Sequence, residues 1–325
     1  MRSMFPERRL RRLRKSEGMR RLVRETRVTV DDLVCPVFVG EGLDVPKTVG
    51  SMSGIRRIPP EMVAEEISGI WQMGIPAVML FGIPESKDVD GSSSYDEEGV
   101  VQNAIRNARR AAPEMAIMAD VCMCQYTSTG HCGIVKGGVV DNDSTILSLG
   151  KIAASYARAG VDVVSPSAMM DGQVAAIRSS LDEAGFPDVA IMSHAAKHHS
   201  SMYSPFRDVA DCLPQFGDRR GYQMPYTNPR EAMMEVESDI SEGADIVMIK
   251  PAMAYLDLVA EAKRNFGVPV AAYSVSGEYA MVHAAHSMGW LDGPGTTLEI
   301  LSSIKRAGAD IIVTYSAKDA AGLLS

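Results

Sequence analysis

Apolar runs of five to eight residues recur along the chain, separated by segments whose apolar positions fall at helical spacing. Strands are expected near 34–39 (VCPVFV), 76–81 (PAVMLF), 116–121 (AIMADV), 161–165 (VDVVS), 189–193 (VAIMS), 245–249 (DIVMI), 269–274 (PVAAYS) and 310–315 (DIIVTY). Each is nearly continuous in apolar residues rather than alternating. That is the pattern of parallel strands covered on both faces. The helical spacing predicts helices over 61–73, 98–111, 144–158, 172–184, 229–241, 254–264, 278–288 and 297–306, with a short one over 317–324 closing the chain. Pro59-Pro60 marks the start of the first, and Asn228-Pro229 supplies a cap and an N1 proline for the fifth. Three strand starts echo one another: RAGVDVVSPSA, EGADIVMIKPA and RAGADIIVTYSA. In each, a helix ends at Gly, an Asp follows, and an apolar strand runs into a short polar loop. Strand and helix alternating eight times predicts an α/β fold, a closed (β/α)8 TIM barrel. An open doubly wound sheet is the second choice, but GEGLDVPKTVG after the first strand has no GxGxxG opening a helix. Residues 1–30 read as an N-terminal arm and 31–325 as a single barrel domain.

Composition narrows the class. The chain has 325 residues, 46% apolar and 23% charged, which is ordinary for a globular protein. No apolar run approaches the roughly 20 residues that span a bilayer, so no membrane association is expected. Five cysteines are too few and too scattered for a disulfide framework, and a reducing, cytoplasmic location is expected. Charge is uneven: residues 1–27 hold eleven Lys and Arg against three Glu, whereas the whole chain carries −8. The arm therefore reads as a segment that docks on an acidic body, its own or a neighbour's. A nucleic-acid segment lacks aromatic or motif support, and a transit peptide is the remaining reading.

In a barrel, chemistry gathers where the strands end. Lys250 directly follows DIVMI and precedes Pro251. A lysine there is buried, so its amine is pushed toward the neutral form. It serves either an ion pair or Schiff-base formation with a carbonyl substrate. Lys197, in IMSHAAKHHSSMYSPFR, should face the same mouth. Two such lysines repel each other's protons and suit an enzyme that holds two carbonyl substrates. DVCMCQYTSTGHCGIVKGG places Cys122, Cys124 and Cys132 on one loop, and three thiols with no fourth nearby suggest an open-position zinc site. His131 is a possible fourth ligand. Cys35 and Cys212 stand alone and read as ordinary core or surface thiols. His194, His198 and His199 flank Lys197 and read as pocket lining or as groups that tune it. Arg207 and Arg219, in SPFRDVADCLPQFGDRRGYQM, are either solvated or a bidentate clamp for a carboxylate.

FGDRRGYQM, DIVMIKPAMAYLD, VSGEYAM and DVCMCQYTSTGHCG resemble the signature segments of the porphobilinogen synthase (5-aminolevulinate dehydratase) family. RRLRRLRKSEGMRRLVRET is similar to its N-terminal arm, and GSMSGIRR to the segment after its first strand. The resemblance implies a hydro-lyase that joins two 5-aminolevulinate molecules into porphobilinogen, an early step toward tetrapyrroles and heme. It implies Schiff bases at Lys197 and Lys250 and catalytic Zn2+ on Cys122, Cys124 and Cys132. Arg207, Arg219 and Gln223 match the groups on the carboxylate of one substrate, and Ser276 and Tyr315 those on the other. Asp120 and Tyr203 match pocket residues near the lysines. Glu235 matches the glutamate of an allosteric Mg2+ site, and a homo-octamer with interlocking arms is implied. Three stretches depart from the family pattern: SHAAK, where Tyr and Ser are usual before the lysine, HHSSMYSPFR after it, and PAMAYLD in place of a usual Pro-Gly-Leu-Pro start. Gly221 stands where some animal enzymes have a cysteine for a second zinc. Three other readings remain: a single-Schiff-base aldolase on the same fold, an inactive paralogue, and a nucleic-acid binder using the arm.

Overall fold

The computed structural model describes residues 8–324. Eight parallel strands close into a barrel: β1 (Leu33–Gly40), β2 (Ala77–Ile83), β3 (Ala116–Val121), β4 (Val163–Pro166), β5 (Ala190–Lys197), β6 (Ile246–Lys250), β7 (Val270–Ser274) and β8 (Ile311–Thr314). Neighbours pair in chain order, and β1 closes the ring on β8 through Leu33↔Ile312 and Val34↔Val313. All eight residues of β1 are buried, as are all seven of β2. The outer layer holds α1 (Val63–Gln72), α2 (Val100–Ala111), α3 (Asn142–Ala159), α4 (Gln173–Glu183) and α5 (Pro229–Ser241). It continues with α6 (Leu256–Asn265), α7 (Ser276–Ser287), α8 (Gly293–Ala307) and α9 (Ala317–Leu324). On α2 the buried positions Val101, Ala104, Ile105 and Ala108 form one stripe against the strands, as a 3.6-residue period requires.

The three echoed strand starts now have a cause. Asp162, Asp245 and Asp310 stand just before β4, β6 and β8. Their carboxylates accept the backbone N–H of Ile117, Ile191 and Val270 on the preceding strand, at 2.7, 2.8 and 2.8 Å. Their own N–H groups donate back to the carbonyls of the same three residues at 3.0, 3.0 and 2.7 Å. Each Asp thus fastens the floor of a strand pair and fixes its register. The glycines before them end the helices in the left-handed region (Gly160 at φ 98°, Gly243 at 107°, Gly308 at 121°), which a side chain rarely tolerates. The expected elements are all present, with ends shifted by a few residues. The largest difference is β5, which continues past 193 to Lys197. His194 and Lys197 broke the apolar run in the sequence, but they are enclosed by the barrel mouth rather than exposed by a loop. The register against β6 shifts between Val247 and Ile249, so β5 carries an irregularity there. Short helices over Leu10–Arg14, Glu17–Leu22 and Ser204–Val209 and a hairpin pairing Val135–Lys136 with Val139–Val140 were not foreseen.

Candidate active site at the C-terminal rim of the barrel

The register of β5 on β6 pairs Lys197 directly with Lys250. Both side chains are buried, 6% and 4% exposed, and both face one cavity. That cavity is lined by Asp120, Cys124, Ser167, Tyr203, Phe206, Arg219, Ser276 and Tyr315 together with the two lysines. Lys197 Nζ donates to the Ser167 carbonyl just beyond β4. Among the described residues Lys250 Nζ has no such acceptor. Its Nζ lies 3.9 Å from the ring centre of Tyr273, 5.3 Å from Phe206 and 5.7 Å from Tyr203. Burial, and then the positive charge of Lys197, pulls its amine down to about 7. Asp120, at the end of β3, is pushed up by burial against the pull of Lys197, and accepts from Gln125 Nε2 at 3.3 Å. Tyr203 donates its hydroxyl to the Lys250 carbonyl at 3.1 Å. Tyr273 donates to the Tyr315 hydroxyl at 3.1 Å, and Ser276 Oγ donates to the Met202 carbonyl at 3.1 Å while accepting Phe206 N–H at 3.0 Å.

Cys122, Cys124 and Cys132 are all buried, and their sulfurs lie within 4.8 Å of one another, with Cys122 and Cys124 at 3.4 Å. Zinc–thiolate bonds of about 2.3 Å require sulfurs about 4 Å apart, so the trio fits one such ion. Of the three, Cys124 lines the lysine cavity. Hydrogen bonds from Cys122 and Cys124, helped by the Arg219 charge, hold the Cys132 thiol well below its ordinary value. His131 is not the fourth ligand. Its Nδ1 pairs with the Tyr222 hydroxyl and its Nε2 with the Phe216 carbonyl, each at 3.0 Å, so both nitrogens are used.

The arginine segment closes over this mouth. Arg219 reaches the carbonyls of Cys212 at 2.6 Å and Gly130 at 3.0 Å, tying the β5 loop to the cysteine loop. Arg207 Nε, Arg219 Nε and both amide atoms of Gln223 are buried without a partner in the protein. Leaving such groups unmatched costs about 1–3 kcal/mol each, so the three N–H donors suit a ligand acceptor and Gln223 Oε1 a ligand donor. Glu235 lies elsewhere, in a hollow of about 550 Å³ that also holds Asp171 and Glu231 but neither lysine. Burial and then Asp171 push its carboxyl up. Among the described residues the cysteine trio is the one metal-type cluster of three protein ligands.

Two buried groups, Glu278 and Cys212, escaped the sequence reading as parts of this site, whereas His194 was read as pocket lining. Glu278 accepts the N–H of Met253 at 2.8 Å, Ala252 at 3.2 Å and Val275 at 3.0 Å, and so ties the loop after Lys250 to the start of α7. Its acidic position in a first helical turn was visible, but not the loop it would clasp. His194 is fully buried with both ring nitrogens unmatched in the protein, and burial and the two lysines keep it neutral. His198 instead stacks on Tyr255 at 4.5 Å. Cys212 is buried, its carbonyl accepts from Arg219 at 2.6 Å, and the neighbouring Cys124 and the Arg219 charge hold its thiol down to about 6. No sequence signal marked that position.

Comparison with known proteins agrees with this geometry. The family model described as delta-aminolevulinic acid dehydratase matches residues 7–323. A Synechococcus elongatus protein named delta-aminolevulinic acid dehydratase is 51% identical, covering 99% of this chain and 100% of its own. The Bacillus subtilis protein of the same name is 48% identical over 97% of each chain. A crystal structure of the Toxoplasma gondii delta-aminolevulinic acid dehydratase (porphobilinogen synthase), in complex with the reaction product porphobilinogen, superposes with a TM-score of 0.95 at 41% identity. It covers 98% of this chain and 92% of that one. With two adjacent buried lysines at the rim of a (β/α)8 barrel and these relatives on either side, the chain belongs to the delta-aminolevulinic acid dehydratase family of lyases.

Proposed function

We propose that this enzyme condenses two molecules of 5-aminolevulinate into porphobilinogen with loss of two waters, holding one on Lys197 and the other on Lys250. The observation that carries the reading is the strand-paired lysine couple, with one amine drawn down to about 7 and therefore largely available as a nucleophile near neutral pH. The neutral Lys250 amine attacks the keto carbon of one substrate, and water leaves as the imine forms. Lys197 does the same on the second. Asp120, buried beside both amines and biased toward its protonated form, is placed to give a proton to the departing oxygen and take one back. Two substrates tethered side by side gain the proximity that a bimolecular condensation in water lacks. Arg207, Arg219 and Gln223 bind one carboxylate, and Ser276 and Tyr315 the other. Tyr203 holds the Lys250 peptide, and the aromatic wall keeps water from the imines.

Cys122, Cys124 and Cys132 would hold Zn2+, which when bound supplies a Lewis acid at the edge of the lysine cavity. Glu235 would hold an allosteric Mg2+ as a single carboxylate, in keeping with an ion that retains most of its waters. The arm exposes Leu10 (57%), Leu22 (75%) and Val23 (42%), which supports the reading that it packs on a second copy in a homo-octamer. No helix among the described residues is long and apolar enough to cross a membrane, and a cytoplasmic location remains the reading. The test is porphobilinogen formation from 5-aminolevulinate by the purified protein, with and without a zinc chelator. Product that disappears on chelation and returns with zinc is expected. Product insensitive to chelation would remove the zinc role, and no product under any metal would overturn the reaction.

A further inference from the structure

The helix Ser204–Val209 has only six residues, so most of its backbone groups are end groups without a partner inside the helix. A helix that short forms only where its surroundings hold it. Its first turn is held by Ser276, whose Oγ accepts the Phe206 N–H at 3.0 Å and donates to the Met202 carbonyl at 3.1 Å. Phe206 packs on Phe81 and Phe38, with ring centres 5.5 and 6.0 Å away. The last turn is held by Arg57. Its Nε donates to the Val209 carbonyl and its Nη2 to the Asp208 carbonyl, each at 2.7 Å. Arg57 stands on rigid ground, in a three-residue strand, Arg56–Ile58, that pairs with the end of β1 through Phe38↔Arg57 and Val39↔Ile58. Ser51, on the same connection, adds a bond from Oγ to Asp208 Oδ2 at 2.6 Å. Arg207 sits between the two anchors, just before the carbonyls that Arg57 takes, and its Nε is buried without a partner in the protein.

We propose that Arg57 is a positioning residue for the reaction: it caps the last turn of this helix and so holds Arg207 where a substrate carboxylate meets it. Arg57 does not line the lysine cavity, so it acts through the helix and not on substrate. The planar guanidinium fork spans two successive carbonyls, which an ammonium group cannot do from one position. Without the fork both carbonyls lose this donor, the last turn loosens, and Arg207 samples positions beyond reach of a carboxylate. Ser276 and the phenylalanine rings keep the other end in place, so the loss falls on Arg207 rather than on the wall beside Lys250. The inference rests on the proposed reaction only in taking Arg207 as a carboxylate ligand.

The test compares Arg57→Met, Arg57→Lys, Arg207→Ala and the double variant of Arg57→Met with Arg207→Ala, all as full-length, zinc-supplemented enzyme. The readouts are KM for 5-aminolevulinate and, without turnover, the concentration that half-saturates reductive trapping with cyanoborohydride. Arg57→Met should raise both about 3- to 10-fold, less than the loss of Arg207 itself, with a smaller change in kcat. Arg57→Lys, which keeps the charge and one of the two bonds, should fall between Arg57→Met and wild type. On the Arg207→Ala background the change to Met should add less than about 2-fold, because the group that Arg57 positions is gone. Equal factors on the two backgrounds would place the action of Arg57 elsewhere in the fold. An unchanged KM in Arg57→Met would mean that the helix holds Arg207 unaided. Either result overturns the proposal. If Arg57→Met does not fold, Arg57→Lys on the two backgrounds carries the same comparison. A wild-type enzyme that traps substrate but makes no porphobilinogen would remove the proposed reaction and leave this inference to be decided by the trapping titrations.

Discussion

Replacing Lys197 by Gln tests whether the lysine couple tunes Lys250. Paired residues on adjacent strands stand about 4.8 Å apart, and two ammonium groups about 6 Å apart at an effective dielectric of 20 repel by about 2.8 kcal/mol. That corresponds to about two pKa units as an upper figure, and solvent in the mouth brings it to one or two. Burial, the larger cause of the shift, is unchanged by the substitution, so Lys250 should move from about 7 only part of the way back, to about 8–9. At pH 7 its neutral fraction then drops from about half to between a tenth and a hundredth, and imine formation slows by about 5- to 50-fold. The assay is reductive trapping of 5-aminolevulinate with cyanoborohydride across pH 6–10, with the labelled lysine located by peptide mass. Turnover plays no part, since the variant lacks its second tether. A trapping midpoint that stays near 7 would mean that burial alone sets the amine, and would refute the coupling.

Arg207→Ala should raise KM about 10-fold or more with a smaller change in kcat, because a charge-assisted hydrogen bond to a substrate carboxylate contributes about 1.5–3 kcal/mol; steady-state kinetics decide it. Ser276→Ala should weaken trapping at Lys250 more than at Lys197, read as the ratio of the two labelled peptides. Glu278 is held up at about 7 against an ordinary 4.5, chiefly by burial, so between those values the folded protein binds more protons than the unfolded one and stability falls as pH rises. The difference amounts to about 3 kcal/mol at most, fully expressed above pH 7. Glu278→Gln should flatten that part of the stability curve, measured by urea unfolding at pH 5, 6 and 7; parallel curves for the two proteins would contradict it.

The barrel was legible because each strand is a local apolar run and each helix a local period. Lys250 was legible for the same reason, since a lysine ending such a run has one place to go. The reading weakened where polar residues lie inside the mouth. β5 was cut short at Ser193 because His194 and Lys197 look like loop residues until the eight strands enclose them. His131 had suitable spacing for a ligand, but spacing cannot reveal that Tyr222 and the Phe216 carbonyl, some 90 residues on, occupy both ring nitrogens. Glu278 is the same case from the other side. Its place in a first helical turn is local, but its role comes from the loop after Lys250 that arrives from another strand.

On the proposed function, the order of groups around the rim also suggests how the two substrates would be shared out. The cysteine trio follows β3, the Ser167 carbonyl that accepts from Lys197 follows β4, and Lys197 and Lys250 end β5 and β6. Ser276 follows β7 and Tyr315 follows β8. Adjacent strands stand about 4.8 Å apart, so a molecule the size of 5-aminolevulinate spans two or three of them. The substrate on Lys250 can therefore reach Ser276 and Tyr315 but not also the metal loop. On that reading the one on Lys197 would lie between Lys250 and the cysteines, beneath Arg219, which joins the two loops. The Lys197 substrate would then be the one to meet the Lewis acid, with its carboxylate on the arginines. Lys250 is walled by Tyr203, Phe206 and Tyr273, so on the proposed reading it would hold its partner against aromatic rings that shield an imine from hydrolysis until the second molecule is in place.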